Sequence, residues 1–261
     1  MSQAQLHIES IGPVSAPEIV MLHGWGMNSA VFTPLHLSLS EYRVHYVDLP
    51  GFGHSSAIEG DINDWLEVLI SRLPEKAIWV GWSLGGLLAT LAALNYPNRV
   101  TGLVTIASSP CFMAREEQKW PGIPPHVLSQ FGESLHKDLG KTVERFLTIQ
   151  AMGSATAKED IKQLKKLVLA RPLPDSKALL QGLNMLECVD LRPKLDLINL
   201  PWLRIWGRLD GLVPRRVPPL MPLNETLYRD IILPKASHAP FVSHTDEFLA
   251  GFVTWIEEIT N

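Results

Sequence analysis

Ala77 Ile78 Trp79 Val80 Gly81 Trp82 Ser83 Leu84 Gly85 Gly86 Leu87 Leu88 Ala89 is the stretch whose reading decides the fold. Ala77 to Val80 form a short apolar run suited to a buried strand, and Leu84 to Asn95 read as a helix. Between them stands Gly-x-Ser-x-Gly. That bare pattern is common, but strand, turn and helix in this order are the context a nucleophile elbow needs. Glycines flank the serine because side chains would collide in so tight a turn, which holds the serine backbone in a strained conformation. The Ser83 hydroxyl is thereby presented at the C-terminal edge of a sheet. The helix N-terminus places the Leu84 backbone N–H where it can meet a developing oxyanion.

Working outward, Glu18 to Leu22, Arg43 to Val47, Gly102 to Ile106, Leu203 to Trp206 and Arg229 to Leu233 are further strand candidates, closed by Gly, Pro, Asp or Ser. Helical stretches such as Asp61 to Leu73 and Thr245 to Ile259 alternate with them, and Pro97 closes the helix after the elbow. Such alternation predicts an α/β fold with a mostly parallel sheet flanked by helices. The alternation stops at Ser109 and resumes near Pro201. The segment between reads as helices with proline-rich breaks at Pro121 to Pro125 and Pro172 to Pro174. The expected organisation is an α/β-hydrolase core of residues 1–110 and 189–261 with a helical cap inserted at 111–188. Charge separates the two: Cys111 to Cys188 carry 11 basic and 9 acidic residues, and the rest of the chain 12 and 18.

A hydroxyl becomes a competent nucleophile only when a base within hydrogen-bond reach takes its proton and a third group holds the imidazole in one tautomer. In this fold the acid follows a late strand and the histidine follows the last one. Leu203 to Trp206, Gly207 and then Asp210 supply the first; Ile231 to Leu233 followed by His238, before the C-terminal helix, supply the second. Asp190 and Asp196 precede their strand and Asp230 lies inside one, so Asp210 is the preferred acid. His244 sits at the approach to the last helix and reads as a capping or surface residue. His23-Gly24-Trp25-Gly26 follows the strand ending at Leu22, where such enzymes place a second oxyanion N–H. The Trp25 amide is the candidate donor, its indole a wall of the substrate pocket, and His23 a structural hydrogen-bonding residue.

The 261 residues are 46% apolar and 19% charged, with a net charge of −4, as in an ordinary globular protein with no call for nucleic acid. Cys111 and Cys188 lie far apart, outside any CxxC arrangement, and read as free thiols. There is no HExxH, no carboxylate cluster and no GxGxxG, so no metal or organic cofactor is expected. Neither a leader pattern at Met1 to Ser10 nor a membrane-length apolar run occurs, so a cytoplasmic location and no membrane partner are expected. Serine at the elbow excludes hydrolases that attack through aspartate. Acyl transfer through an acyl-enzyme remains, and the triad alone leaves esterase, thioesterase and carbon–carbon hydrolase open. A non-catalytic hydrolase-fold receptor is disfavoured because every piece of the machinery is retained.

Several stretches resemble a narrower family, the esterases of biotin synthesis that demethylate pimeloyl-[acyl-carrier protein] methyl ester. They are His23-Gly-Trp-Gly-Met-Asn28, Val47-Asp-Leu-Pro-Gly-Phe-Gly-His-Ser55, Gly81-Trp-Ser-Leu-Gly-Gly86, Thr142-Val-Glu-Arg-Phe-Leu147, Leu209-Asp-Gly-Leu-Val-Pro214 and Ser237-His-Ala-Pro-Phe241. The resemblance implies that Trp25, Ser83, Leu84, Phe146, Leu147, Thr148, Ile149, Gln150 and His238 bind the substrate. It also implies an acyl carrier protein as partner. On a helix Val143, Phe146, Leu147 and Gln150 share one face that can roof the cleft, with Lys141 and Arg145 beside it. Lys158, Lys162, Lys165 and Lys166 fall on one side of a second helix, with Glu159 and Asp160 expected elsewhere. Lys141, Arg145, Lys158 and Lys162 are the candidate docking residues. Where the family is expected to use arginine, this chain has Lys141, Lys158 and Lys162, which keep the charge but lose the bidentate fork.

Overall fold

In the computed structural model, residues 5–150 and 155–260 are described; residues 151–154, inside the expected insertion, lie outside them. Seven strands form one sheet: β1 (Ile8–Ile11), β2 (Glu18–Leu22), β3 (Arg43–Val47), β4 (Ala77–Trp82), β5 (Val100–Ile106), β6 (Trp202–Gly207) and β7 (Tyr228–Leu233). Their order is β1-β3-β2-β4-β5-β6-β7, with β1 antiparallel to β3 and every other pair parallel. β4 and β6 are buried at every position, as central strands covered on both faces must be.

The core helices are α1 (Ile62–Arg72), α2 (Leu84–Asn95), α7 (Pro240–Ser243) and α8 (Thr245–Thr260). α1 starts at a capping box in which Asp61 accepts from the Asn63 and Asp64 N–H groups and Asp64 accepts from the Asp61 N–H. Between β5 and β6 come α3 (Pro125–Lys137), α4 (Leu139–Gln150), α5 (Ala157–Val168) and α6 (Ser176–Cys188). Their buried faces join the apolar core of the sheet domain in one continuous cluster. No helix among the described residues is long and apolar enough to cross a membrane.

The chain leaves β2 toward β3 on one side, then returns to β4 and proceeds through β5, β6 and β7 on the other. β2 and β4 are therefore neighbours whose following loops part in opposite directions. Open α/β sheets bind ligands at the C-terminal ends of such a pair, where His23 to Gly26 follow β2 and the elbow follows β4.

Candidate active site

Ser83 stands between the last residue of β4 and the first of α2, with φ 55° and ψ −117°. A side chain held there costs about 1–3 kcal/mol and persists only where its surroundings over-determine it. Four hydrogen bonds do so: the Ser83 N–H donates to Ile106 C=O (3.0 Å), while its carbonyl accepts from Gly86 N–H (2.9 Å), Leu87 N–H (3.2 Å) and the Ser108 hydroxyl (2.8 Å). The flanking glycines are steric necessities. A Cβ on Gly81 would stand 2.1 Å from the Gly85 carbonyl oxygen, and one on Gly85 2.2 Å from that of Leu22.

Two loops running side by side bring acid and base together. A Cβ on Gly207, at the end of β6, would meet the Ser237 carbonyl oxygen at 2.0 Å, so only glycine lets the chain after β7 pass so close. His238 Nδ1 lies 2.7 Å from Asp210 Oδ2, both side chains being almost wholly buried. The other Asp210 oxygen accepts from the Leu212 and Val213 N–H groups at 2.8 and 3.0 Å. With Nδ1 donating to the carboxylate, Nε2 is the basic nitrogen, and it is buried without a hydrogen-bond partner among the described residues. The imidazole's backbone is fixed too, since its carbonyl accepts from the Trp82 indole at 2.7 Å.

The other candidate acids are engaged elsewhere or exposed. Asp230 holds Arg204 across β6 and β7 (2.6 and 2.9 Å), Asp190 binds the Arg192 guanidinium, and Asp196 lies on the surface. His23 accepts the Leu49 N–H at Nε2 (2.9 Å), so Nδ1 carries the proton it gives to Gly24 C=O (2.8 Å). Burial pushes its pKa down to about 4, which keeps it neutral. His244 contacts Ser243 at the end of α7 and takes no part in the cluster.

The β2 loop passes directly by Ser83: a Cβ on Gly24 would stand 3.2 Å from Ser83 Cβ. The Trp25 and Leu84 backbone N–H groups donate to no acceptor among the described residues. The Trp25 indole, expected as a pocket wall, is instead fully buried behind the wall. It packs edge-on against Phe146 with ring centroids 4.6 Å apart and donates to Leu179 C=O at 2.8 Å.

Above Ser83 lies an apolar slot. Leu212 lines it from the loop after β6, Phe112 from the segment after β5, Ile123, Val127, Leu128 and Phe131 from α3 and its approach, Phe146 from α4, and Leu183 and Leu186 from α6. Most of these residues were invisible to sequence reasoning; the helical period around Phe146 was the one signal. Leu147 and Gln150 are buried beside Phe146 and Ile149 is half-buried. Thr148 is displaced from the expected set: it lies on the exposed side of α4, its hydroxyl donating to Glu144 C=O (3.0 Å), because a helix cannot turn five consecutive residues to one face. The slot leaves a cavity of only ≈ 10 Å³, about the room one water molecule takes.

The outer faces of α4 and α5 are charged. Lys141 pairs with Asp138 (3.0 Å), Arg145 lies over the Phe131 ring, and Lys165 reaches across to Glu144 (2.9 Å). Lys158 is exposed. Asp160 is buried against the Thr156 hydroxyl, but Glu159 stands within 4.0 Å of Lys162, so the basic side is less free of acid than its spacing suggested.

Comparison with known proteins agrees with this geometry. Residues 17–245 match the α/β hydrolase fold family. A pimeloyl-[acyl-carrier protein] methyl ester esterase of Shewanella woodyi is 69% identical over 98% of this chain and 99% of its own length. This chain belongs to the pimeloyl-[acyl-carrier protein] methyl ester esterase family of α/β hydrolases. An Aliivibrio fischeri member of that family is 49% identical over 92% of the chain and 94% of its own. Among solved structures, an esterase from Exiguobacterium antarcticum superposes with a TM-score of 0.86 at 23% identity, covering 97% of this chain and 96% of its own. An enol-lactonase from Burkholderia xenovorans superposes with 0.84 at 19%, covering 98% of each. At such identities these two speak for the α/β-hydrolase fold alone.

Proposed function

We propose that this hydrolase cleaves the methyl ester of pimeloyl-[acyl-carrier protein] to give the free ω-carboxylate and methanol, a step of biotin synthesis. The observation that carries the reading is the placement of Ser83 at the floor of a wholly apolar slot roofed by helices whose outer faces carry lysines. A polymethylene chain suits the slot, and an acidic carrier suits the exterior.

In this reading Ser83 Oγ attacks the ester carbonyl as His238 Nε2 takes its proton. Asp210 holds the imidazole and stabilises the imidazolium. The tetrahedral oxyanion is met by the Trp25 and Leu84 N–H groups. Collapse breaks the bond to methoxide, which leaves as methanol with the proton from His238. Water, deprotonated by His238, then attacks the acyl-enzyme and releases the carboxylate and Ser83. Residues 111–188 act as the cap. Phe146, Leu147 and Gln150 contribute to the acyl site from α4, and Lys141, Arg145, Lys158 and Lys162 receive the carrier. The surface ion pairs of Lys141 and Lys162 are weak enough to exchange for the carrier's carboxylates. A cytoplasmic location fits a carrier-linked substrate.

The test compares kcat/KM for carrier-bound pimeloyl methyl ester and for a free short-chain ester at low and high salt. A strong preference for the carrier-bound ester that shrinks with salt is expected. Equal rates without salt dependence would leave a general carboxylesterase.

A further inference from the structure

The helix α6 belongs to the cap by sequence, yet it is fastened to the residues that carry the oxyanion donors. Gly182 lies in its interior, where glycine is disfavoured relative to alanine. A Cβ there would stand 2.8 Å from Trp25 Cδ1 and 3.3 Å from Leu84 Cδ2. One turn earlier the Leu179 carbonyl accepts the Trp25 indole N–H at 2.8 Å. The start of α6 is held as well: the Asp175 N–H donates to Gly51 C=O (2.8 Å), and the Asp175 carboxylate caps the Lys177 and Ala178 N–H groups. Gly51 has φ +77°, and a Cβ on it would meet Ala178 Cβ at 2.3 Å, so the loop after β3 also accepts α6 at contact distance.

We infer that Gly182 is a positioning residue for catalysis: by letting α6 sit on the Trp25 indole and the Leu84 side chain, it sets the two backbone N–H groups that receive the oxyanion. The inference rests on the reading of Trp25 and Leu84 as those donors. The indole ring is attached one bond from its own Cβ and is tied to Leu179, so it cannot yield to an added methyl without moving the Trp25 backbone or lifting the helix. α6 is thus a fixed part of the catalytic centre.

Gly182→Ala tests this, because alanine inside a helix ordinarily stabilises it. The readouts are kcat and KM for a p-nitrophenyl acetate probe, too short to need the slot, together with Tm, in the wild-type and Trp25→Leu backgrounds. The expected result is a kcat lowered by about tenfold or more, a fraction of the loss seen when an oxyanion donor is deleted, with KM within about twofold and the protein still fully folded at the assay temperature, any fall in Tm being the modest one that overpacking brings. In Trp25→Leu, where the indole is gone, Gly182→Ala should cost little further. Wild-type kcat in Gly182→Ala, a kcat loss accompanied by an equal fall in folded fraction, or the same fold-loss in both backgrounds would each overturn the inference. Fluorophosphonate labelling of Ser83 in the wild type separates the two failures: no labelling removes the catalytic reading itself, while labelling with an indifferent Gly182→Ala removes only the role of α6.

Discussion

The backbone N–H of His238 donates to the carbonyl of Gln150 at 3.1 Å, joining the loop after β7 to the C-terminal end of α4. The same helix puts Phe146 into the slot above Ser83. One helix thus contributes both a wall of the slot and a hydrogen bond to the backbone of His238.

Phe146→Ala should separate these contributions. The ring packs on Trp25 and, 5.7 Å away, on Phe131, and its removal leaves a cavity where a chain would lie. Deleting a buried phenylalanine costs about 3 kcal/mol or more of stability. KM for a medium-chain ester should rise severalfold, whereas an acetyl ester should change less, because it never reaches the ring. Steady-state kinetics on the two esters beside a urea melt would check this; equal effects on both would mean that Phe146 supports the fold alone.

Asp210→Asn should remain folded and lose about 10⁴-fold in kcat. An asparagine Oδ1 can still accept from the Leu212 and Val213 N–H groups, which leaves its NH₂ facing His238 Nδ1. That nitrogen must then accept, and the proton moves to Nε2, where it blocks attack by Ser83. Turnover of a short ester with circular dichroism as a folding control decides it. A loss of only a few fold would return the acid role to another carboxylate.

Arg171 and Asp48, 123 residues apart, form a clasp between the α5–α6 connection and the loop after β3. Asp48 is fully buried, and Arg171 Nη1 reaches Oδ1 at 3.0 Å while Nη2 reaches Glu9. Burial works against the Asp48 charge, but His23 and the His54 and Ser29 N–H groups outweigh it and hold the carboxyl below its usual range. Arg171→Met leaves that charge without its cation and should cost about 3–5 kcal/mol. Adding Asp48→Asn should recover part of the loss. Denaturant unfolding of the single and double variants gives the answer, and a neutral Arg171→Met would show the clasp to be dispensable.

The elbow, the late-strand acid and the final histidine were legible because each is announced within a few residues by a strand, a glycine and a polar side chain. β1 was not: its four residues are all half-buried on an antiparallel edge, so no apolar alternation marks it. The slot was legible only along α4, whose own period names Val143, Phe146, Leu147 and Gln150, all of them buried. Phe131, Leu183 and Leu186 enter it through the way α3 and α6 pack, which no local pattern encodes. Trp25 shows the same divide: its place in the loop could be read, but the Leu179 carbonyl that takes its indole lies 154 residues away.

His23 supplies a pH dependence that involves no catalytic group. Its folded pKa, about 4, is depressed from 6.5 by burial, so the unfolded chain binds a proton there more readily than the folded one. The stability it contributes is complete above pH 6.5 and is lost as pH falls from there through 4. The loss amounts to about 3 kcal/mol at most, at 1.36 kcal/mol per pKa unit. Urea unfolding at pH 7.5, 5.5 and 4.5 should show falling stability. His23→Gln, which keeps an acceptor for Leu49 N–H and a donor for Gly24 C=O, should be flatter across that range. Parallel pH curves for the two proteins would mean that another group sets the acid limit of this fold.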